Sequence, residues 1–218
     1  MSISEIVEAL GIREILHFTT NRGLTGILAS NAVRPRKRLT QDKHLEFILQ
    51  CNCPDRSKDE EWLDYVNLLI TSVNFYLFGI SKGHWHTHPD TWWCILSFPP
   101  DILGHEGVYF ATTNNIYTGV RRSKGTPGLE NLFAQRVIRW SGNIAHREPS
   151  TPTNQPTCNQ AEVLYPGDLS LKYLQNVYVA DETAADKVES IRSLFDGLPD
   201  FDCAVKPELF SQQRVLNS

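Results

Sequence analysis

The chain has 218 residues, of which 41% are hydrophobic and 21% charged, and its formal net charge is −4. This length and composition suit one domain with a real hydrophobic core, and they exclude disordered, collagen-like and disulfide-dense chains. The slightly acidic balance does not indicate a general nucleic-acid binder, although a local basic patch can still bind one.

Nothing in the sequence indicates a secreted or membrane protein. No apolar run is long enough to cross a bilayer, and residues 1–10 carry two glutamates instead of the basic start of a signal peptide. The five cysteines are odd in number and irregularly spaced, which is typical of free thiols in a reducing compartment. We therefore predict a cytoplasmic protein that has no membrane partner.

Short helices and strands follow one another without the regularity of βαβ units. In chain order, the sequence predicts a capped helix over residues 3–10, a strand over 15–19 and a helix with Leu24, Ile27 and Leu28 on its buried face. It predicts further strands over 65–70, 92–98, 108–112, 161–164 and 177–180, and helices over 129–137 and 183–195.

The remaining segments are predicted to be irregular. Pro35 argues against a helix over residues 34–38, residues 51–61 form a polar loop, and residues 139–159 form a long loop of the kind that usually has a function. The chain from about Asp200 is an extended tail that docks on the domain or on a partner. The mixture of elements predicts a single α+β domain over residues 1–218.

Two polar side chains lie at the end of the first predicted strand. Alternation along a strand puts His17 and Thr19 on one face, where both can hydrogen-bond a ligand. Alternatively, this polar strand end caps the following helix through Thr20 or Asn21. The residues alone favour the capping interpretation.

A second polar pair begins the strand predicted near residue 161. Gln160 and Glu162 share one face of it, and a carboxylate at such a place can orient a ribose hydroxyl and stabilise positive charge on a sugar ring. The alternative is an ordinary exposed glutamate on an edge strand.

Together these segments resemble a known family. Three segments are similar to the DarT-type ADP-ribosyltransferase toxins. They are His17-x-Thr19 followed by Leu24-x-x-Ile27-Leu28, Tyr-Phe-Ala-Thr-Thr-Asn-Asn over residues 109–115, and Gln-Ala-Glu-Val-Leu over residues 160–164. The order and spacing match over about residues 15–180, and Gln160-x-Glu162 also fits the wider ADP-ribosyltransferase pattern.

The resemblance implies an ADP-ribosyltransferase-like split β-sheet with peripheral helices that holds NAD in a cleft. It implies a glycosyltransferase that moves ADP-ribose to a nucleic-acid base with release of nicotinamide, single-stranded DNA being favoured over RNA. The family also implies a toxin with a cognate antitoxin as partner. We expect no metal cofactor. Glu162 is the implied catalytic carboxylate, and residues 141–159 are the implied substrate-recognition loop.

The chain departs from the family pattern at two places. The family often has an asparagine just before Leu24, where this chain has Gly23, and Asn21 is the candidate substitute. The family also places an arginine near the end of the segment 74–82, where this chain offers only Lys82, and a lysine supplies charge but no bidentate fork. We assign catalysis to Glu162 and Lys82, and the remaining assignments are cofactor-binding His17, Thr19, Thr20, Asn21 and Asn74 and substrate-binding Gln160, Arg139, Trp140 and Arg147.

Basic residues cluster over 34–38, 121–124 and 136–147, and the last two clusters flank the predicted recognition loop. Although charge runs are usually solvated faces, backbone charge combined with aromatic platforms is how single-stranded nucleic acid is recognised. The tryptophans that could supply such platforms are Trp85, Trp92, Trp93 and Trp140, of which Trp93 is the one most expected in the core.

Two other functions stay open at this stage. His84, His86 and His88, with Ser97 and Asp101, resemble the metal site of JAMM-type zinc isopeptidases, although the gap from serine to aspartate is one residue longer than in that family. Residues 51–53, Cys-Asn-Cys, could be half of a zinc site but have no matching second pair. The third possibility is a non-catalytic nucleic-acid-binding module, which the missing family arginine favours.

Overall fold

An eight-stranded mixed sheet organises the chain. The structure, a computed structural model, describes residues 1–39, 57–140 and 142–211. The strand order in the sheet is β12-β11-β4-β1-β3-β9-β5-β6, and two small two-stranded sheets, β2–β10 and β7–β8, lie beside it. The strands are β1 Ile15–Thr20, β2 Ala32–Val33, β3 Tyr65–Ile70, β4 Trp93–Phe98, β5 Tyr109–Ala111, β6 Arg122–Lys124, β7 Arg136–Trp140, β8 Asn143–His146, β9 Glu162–Pro166, β10 Leu169–Ser170, β11 Asn176–Val179 and β12 Asp202–Val205.

The helices pack mainly around this sheet. In the described ranges the α-helices are α1 Ile3–Leu10, α2 Asn21–Ser30, α3 Arg36–Leu39, α4 Phe75–Ile80, α5 Gly125–Leu132 and α6 Glu182–Arg192. Short 3₁₀ helices span Ser57–Trp62, Pro100–Gly104, Leu171–Tyr173 and Pro207–Phe210, and a π-helical turn spans Ser81–Trp85. In the part of the chain that the structure describes, no helix is both long and apolar enough to span a membrane.

The sheet is split between β1 and β3. β1 pairs with β4 over six residues but with β3 over only two, opposite Ile70 and Leu69. At the next position the His17 ring Nδ1–H donates to the Asn67 carbonyl at 3.0 Å, so a side chain takes the place of a backbone ladder bond. The split therefore opens at His17.

Each face of the sheet has its own apolar cluster. The larger cluster includes Ile15, Leu68 and Leu96 from the strands and is covered by buried side chains of α1, α2, α5 and α6. The smaller cluster, on the other face, includes Leu16 and Ile95 together with buried aromatic side chains. Since successive side chains of a strand alternate, His17 and Thr19 lie on the face of the larger cluster.

Most of the local predictions are confirmed. The Ser2–Glu5 capping box starts α1, Gly11 ends it in the left-handed region at φ 68°, and Thr20 caps α2. The α+β class is confirmed as well. The tail predicted from residue 200 docks on the domain, because β12 pairs in parallel with β11.

Three predictions of secondary structure are wrong. The helix predicted over 129–137 ends at residue 132, and the β-branched pair Val137 and Ile138 lies in strand β7. The loop predicted over 139–159 contains part of the hairpin formed by β7 and β8. Residues 36–39 form one helical turn, since Pro35 precedes the turn and so removes none of its hydrogen bonds.

Candidate active site

The Glu162 carboxylate lies at the start of β9 and is only 4% exposed. Its Oε2 accepts the Asn115 backbone N–H at 2.8 Å and the Asn67 side-chain amide at 3.1 Å. Hydrogen bonds to a charged acceptor are short and strong, so these two donors fix the direction of the carboxylate. The edge-strand alternative for Glu162 is wrong, because β9 lies between β3 and β5.

His17 lies on the other side of Asn67. Burial lowers the pKa of His17 below its ordinary value of 6.5, and the hydrogen bond to the Asn67 carbonyl opposes this only in part. The ring is therefore neutral at pH 7, with its Nδ1–H engaged and its Nε2 an acceptor. Asn67 contacts both groups, since its carbonyl accepts from His17 and its side-chain amide donates to Glu162.

Asn67 is a site residue that lies outside the predicted set, although the sequence carries a signal for it. It is the one polar residue inside the otherwise apolar run Val-Asn-Leu-Leu-Ile of β3. A polar side chain on a central strand needs a partner, and here the partner is the Glu162 carboxylate. The side chain is thus a structural part of the site.

An arginine also joins the site, from a place that the sequence analysis did not use for catalysis. The Arg122 guanidinium donates through Nε to the Asn115 side chain and through Nη2 to the Asn115 carbonyl at 2.6 Å, and it lies over the Trp62 ring. Asn115 in turn donates to Glu162. By contrast Lys82 is exposed in the π-helical turn, and within the described residues no contact joins it to Glu162.

Thr19 and Gly23 explain one departure from the family pattern. Thr19 is 4% exposed, and a Cβ added at Gly23 would lie 2.1 Å from its Oγ1. Only glycine lets α2 approach β1 this closely, so an asparagine does not fit at position 23. Thr20 caps α2 by accepting the Gly23 N–H at 3.2 Å, which supports the capping alternative, and its cofactor-binding role stays a prediction.

The two predicted asparagines are held by local contacts. Asn21 donates its side-chain amide to the Asp90 carbonyl at 3.2 Å, and Asn74, fully buried, caps α4 by accepting the Leu77 N–H at 3.1 Å. Among the described residues, Asn21 Oδ1 and Asn74 Nδ2 are buried and have no hydrogen-bond partner. A bound ligand or water would satisfy both atoms, so their cofactor-binding roles stay predictions.

The predicted substrate residues separate into two groups. The Trp140 ring packs edge to face on Tyr117, and the Tyr117 phenol neighbours the buried Gln160 and Glu162. Trp140 and Gln160 are therefore both next to Tyr117. Arg147 instead donates to the carbonyls of Gln155 and Pro152, both at 2.8 Å, and so holds the loop 148–157. Arg139 is half-buried, and its Nε has no hydrogen-bond partner within the described ranges.

The histidine segment does not form the isopeptidase site. His86 is buried against the Trp93 ring, whereas Asp101 follows the opposite end of β4, roughly 17 Å farther along the sheet. The Ser97 hydroxyl donates to the Glu14 carboxylate at 2.9 Å. No three His, Cys, Asp and Glu side chains of the described residues gather as a metal site, and Cys51 and Cys53 lie outside the described residues. The zinc-isopeptidase alternative is therefore not supported.

Comparison with known families decides between the remaining alternatives. The model of a family described as ssDNA thymidine ADP-ribosyltransferase, DarT, matches residues 16–211. The chain belongs to the DarT family. This match confirms the family and the ADP-ribosyltransferase class that the resemblance implied. A search of curated protein sequences found no match.

Solved DarT structures have the same fold. DarT of Thermus sp. 2.9 in complex with NAD+ has a TM-score of 0.63 and 13% identity, over 91% of this chain and 98% of that one. The same DarT in complex with ADP-ribosylated ssDNA has a TM-score of 0.61 and 12% identity, over 92% and 97%. DarTG of Thermosipho africanus in complex with ADP-ribose has a TM-score of 0.57 and 12% identity, over 91% of this chain but 51% of that one. The DarT fold is thus confirmed.

Proposed function

We propose that this chain transfers ADP-ribose from NAD to a base of single-stranded DNA and releases nicotinamide. The observation that carries the proposal is the Glu162 carboxylate, oriented by Asn67 and Asn115 at the split of the sheet. The family supports it, as do the DarT complexes with NAD+ and with ADP-ribosylated ssDNA.

NAD binds in the split, on the side of His17. The neutral His17 ring offers Nε2 as an acceptor for a ribose hydroxyl, since its Nδ1–H is already donated to Asn67. The Thr19 hydroxyl lies on the same face of β1, where it adds a second polar contact. The two side chains orient the donor so that the nicotinamide bond comes next to Glu162.

The reaction exchanges one bond to the ribose for another. The bond from the ribose anomeric carbon to nicotinamide breaks, its electron pair leaves with nicotinamide, and the ribose becomes oxocarbenium-like. Glu162 stabilises that positive charge, and a lone pair of the base nitrogen forms the new bond. Any proton on that nitrogen passes to Glu162 or to solvent. Positioning supplies much of the rate, because a base nitrogen is a weak nucleophile.

A toxin role and a cognate antitoxin are part of the same proposal. The DarTG structure of Thermosipho africanus supports them, since this chain matches about half of that longer chain. Modification of DNA bases is harmful to a cell, so a reversing or blocking partner fits the activity. A cytoplasmic location agrees with the use of NAD.

Mass measurement of modified oligonucleotides tests the proposal. Mixed-sequence single-stranded DNA and RNA oligonucleotides are incubated with the protein and NAD, and their intact masses are compared. We expect the addition of one ADP-ribose to DNA. Addition to RNA alone would replace DNA by RNA as the substrate, and no addition to either by folded protein would favour the non-catalytic binding module.

A further inference from the structure

An aromatic pair lies on the surface beside the proposed catalytic carboxylate. The rings of Tyr117 and Trp140 meet edge to face with centroids 5.1 Å apart. Trp140 is 39% exposed and Tyr117 is half-buried. Neither ring belongs to the hydrophobic clusters formed by the described residues, so packing of the core does not explain them.

Tyr117 also faces the groups of the site. Its hydroxyl has a polar contact with Gln160, and Glu162 is close enough to affect its ionisation. Burial is the main cause that raises the pKa of Tyr117, with smaller contributions from neighbouring groups, so the phenol is neutral at pH 7. Gln160 is 6% exposed, and its Oε1 lacks a hydrogen-bond partner among the described residues. A buried unpaired oxygen needs a donor, which an N–H on the edge of a base can supply.

Backbone hydrogen bonds hold the loop that carries Tyr117, and the Trp140 ring packs on the Tyr117 ring. The Tyr117 N–H donates to the Asn114 carbonyl at 3.1 Å, and the Tyr117 carbonyl accepts the Val120 N–H at 3.2 Å. The same loop packs on the hairpin, because a Cβ added at Gly119 would lie 2.9 Å from the Ile138 side chain. The ring is therefore a preorganised surface.

We infer that Tyr117 is the residue that positions the acceptor base, which stacks on its ring with Trp140 as a brace. The inference depends on the proposed function, because it assigns the place at which the acceptor base binds. His17, on the proposed NAD side, is linked to Glu162 through Asn67. Tyr117 lies in the loop that follows β5, and Asn115 of that loop donates its backbone N–H to Glu162. The donor and the acceptor thus approach the carboxylate from different elements. Bases stack on aromatic side chains in single-stranded nucleic-acid sites.

The test separates the acceptor from the donor. Tyr117→Leu, Tyr117→Phe and the control Tyr173→Leu, which alters a half-buried tyrosine packed on His105, are compared with the wild type. The readouts are transfer to a DNA oligonucleotide, the NAD Kd by calorimetry and the oligonucleotide Kd by fluorescence anisotropy. Thermal unfolding checks the fold of each variant.

We expect Tyr117→Leu to lower kcat/KM for the oligonucleotide about tenfold to a hundredfold and to weaken DNA binding, with the NAD Kd within about twofold of the wild type. Tyr117→Phe keeps the ring and stays within about threefold, and the control does not change. Unchanged transfer by Tyr117→Leu overturns the inference, as does an equal loss in Tyr117→Phe. A parallel loss of NAD affinity also overturns it, because the residue then serves the donor.

Two further measurements test the stacking role of Tyr117 if Tyr117→Leu does not fold or if the wild type transfers no ADP-ribose. If Tyr117→Leu does not fold, Trp140→Leu alters a more exposed ring, and unchanged DNA affinity and transfer in that variant overturn the inference. A wild-type protein that binds DNA but transfers nothing refutes the proposed function. The loss of DNA affinity in Tyr117→Leu is then still expected, and its absence refutes the stacking role separately.

Discussion

The close approach of α2 to β1 makes an unusual prediction for Gly23→Ala. Alanine is favoured over glycine inside a helix by about 1 kcal/mol, so the sequence alone predicts a more stable protein. In the structure the added Cβ would lie 2.1 Å from the Thr19 Oγ1, where ordinary contacts are about 3.5–4 Å. Thr19 is 4% exposed, so its hydroxyl has little room to move away.

The sizes of the opposing free-energy contributions show whether Gly23→Ala stabilises or destabilises the protein. Overpacking of a tight site costs about 1–3 kcal/mol, and displacement of α2 also weakens the bond from the Gly23 N–H to the Thr20 cap, worth about 1 kcal/mol. Against the gain of about 1 kcal/mol from helix propensity, we expect Gly23→Ala to lower the free energy of unfolding by about 1–2 kcal/mol.

Urea denaturation followed by circular dichroism measures this effect in four variants. Gly79→Ala is the control, since Gly79 is exposed in α4 and its added Cβ meets nothing within 4 Å; we expect a gain of up to about 1 kcal/mol. Thr19→Ala removes the hydroxyl, so the double variant with Gly23→Ala should recover at least about 1 kcal/mol of the loss. A Gly23→Ala variant as stabilised as Gly79→Ala, or a cycle without coupling, would refute the reasoning.

Three further changes test the polar network. Asn67→Ala removes a donor to the proposed catalytic carboxylate of Glu162 but keeps the carbonyl that holds His17. A hydrogen bond to a charged group is worth about 1.5–3 kcal/mol, so we expect kcat to fall about tenfold to a hundredfold. An unchanged kcat contradicts this role of Asn67. Arg122→Lys loses the paired hydrogen bonds to Asn115. We expect kcat to fall about tenfold and the NAD Kd, measured by calorimetry, to stay unchanged. NAD binding that weakens as much as kcat falls contradicts a positioning role of Arg122. The pKa of His17 in the folded protein is below 6.5, so the unfolded chain takes up the proton first as the pH drops. We therefore expect the free energy of unfolding and the NAD affinity to fall below pH 6.5, and we expect no such fall in His17→Gln. Denaturation and calorimetry at several pH values measure both quantities, and equal pH slopes in the two proteins contradict the prediction.

Local features could be predicted from the sequence. The capping box of α1, the strand that ends at His17 and Thr19, and the buried face of α2 each depend on residues within one or two helical turns of one another. Glu162 was found in the same way, since it follows a polar loop and precedes an apolar strand. Short patterns carry such signals because the physical contacts that cause them are local.

Contacts between distant residues could not be predicted. Asn67 is 95 residues from Glu162 and reaches it only because β3 pairs with β9 in a particular register. Arg122 reaches Asn115 because β6 pairs with β5, and no sequence pattern fixes that pairing. The catalytic role of Lys82 depends on its charge and on its place in a family segment, and it stays a prediction.

The central claim is that Glu162 acts on the transferring ribose and not on the binding of NAD. The most direct test is Glu162→Gln, measured by NAD calorimetry and by the intact mass of a DNA oligonucleotide after incubation with NAD. The glutamine oxygen can still accept from Asn67 and Asn115, so we expect an NAD Kd within about threefold of the wild type and transfer reduced about a hundredfold or more. Transfer at the wild-type rate, or loss of NAD binding equal to the loss of transfer, would contradict the account.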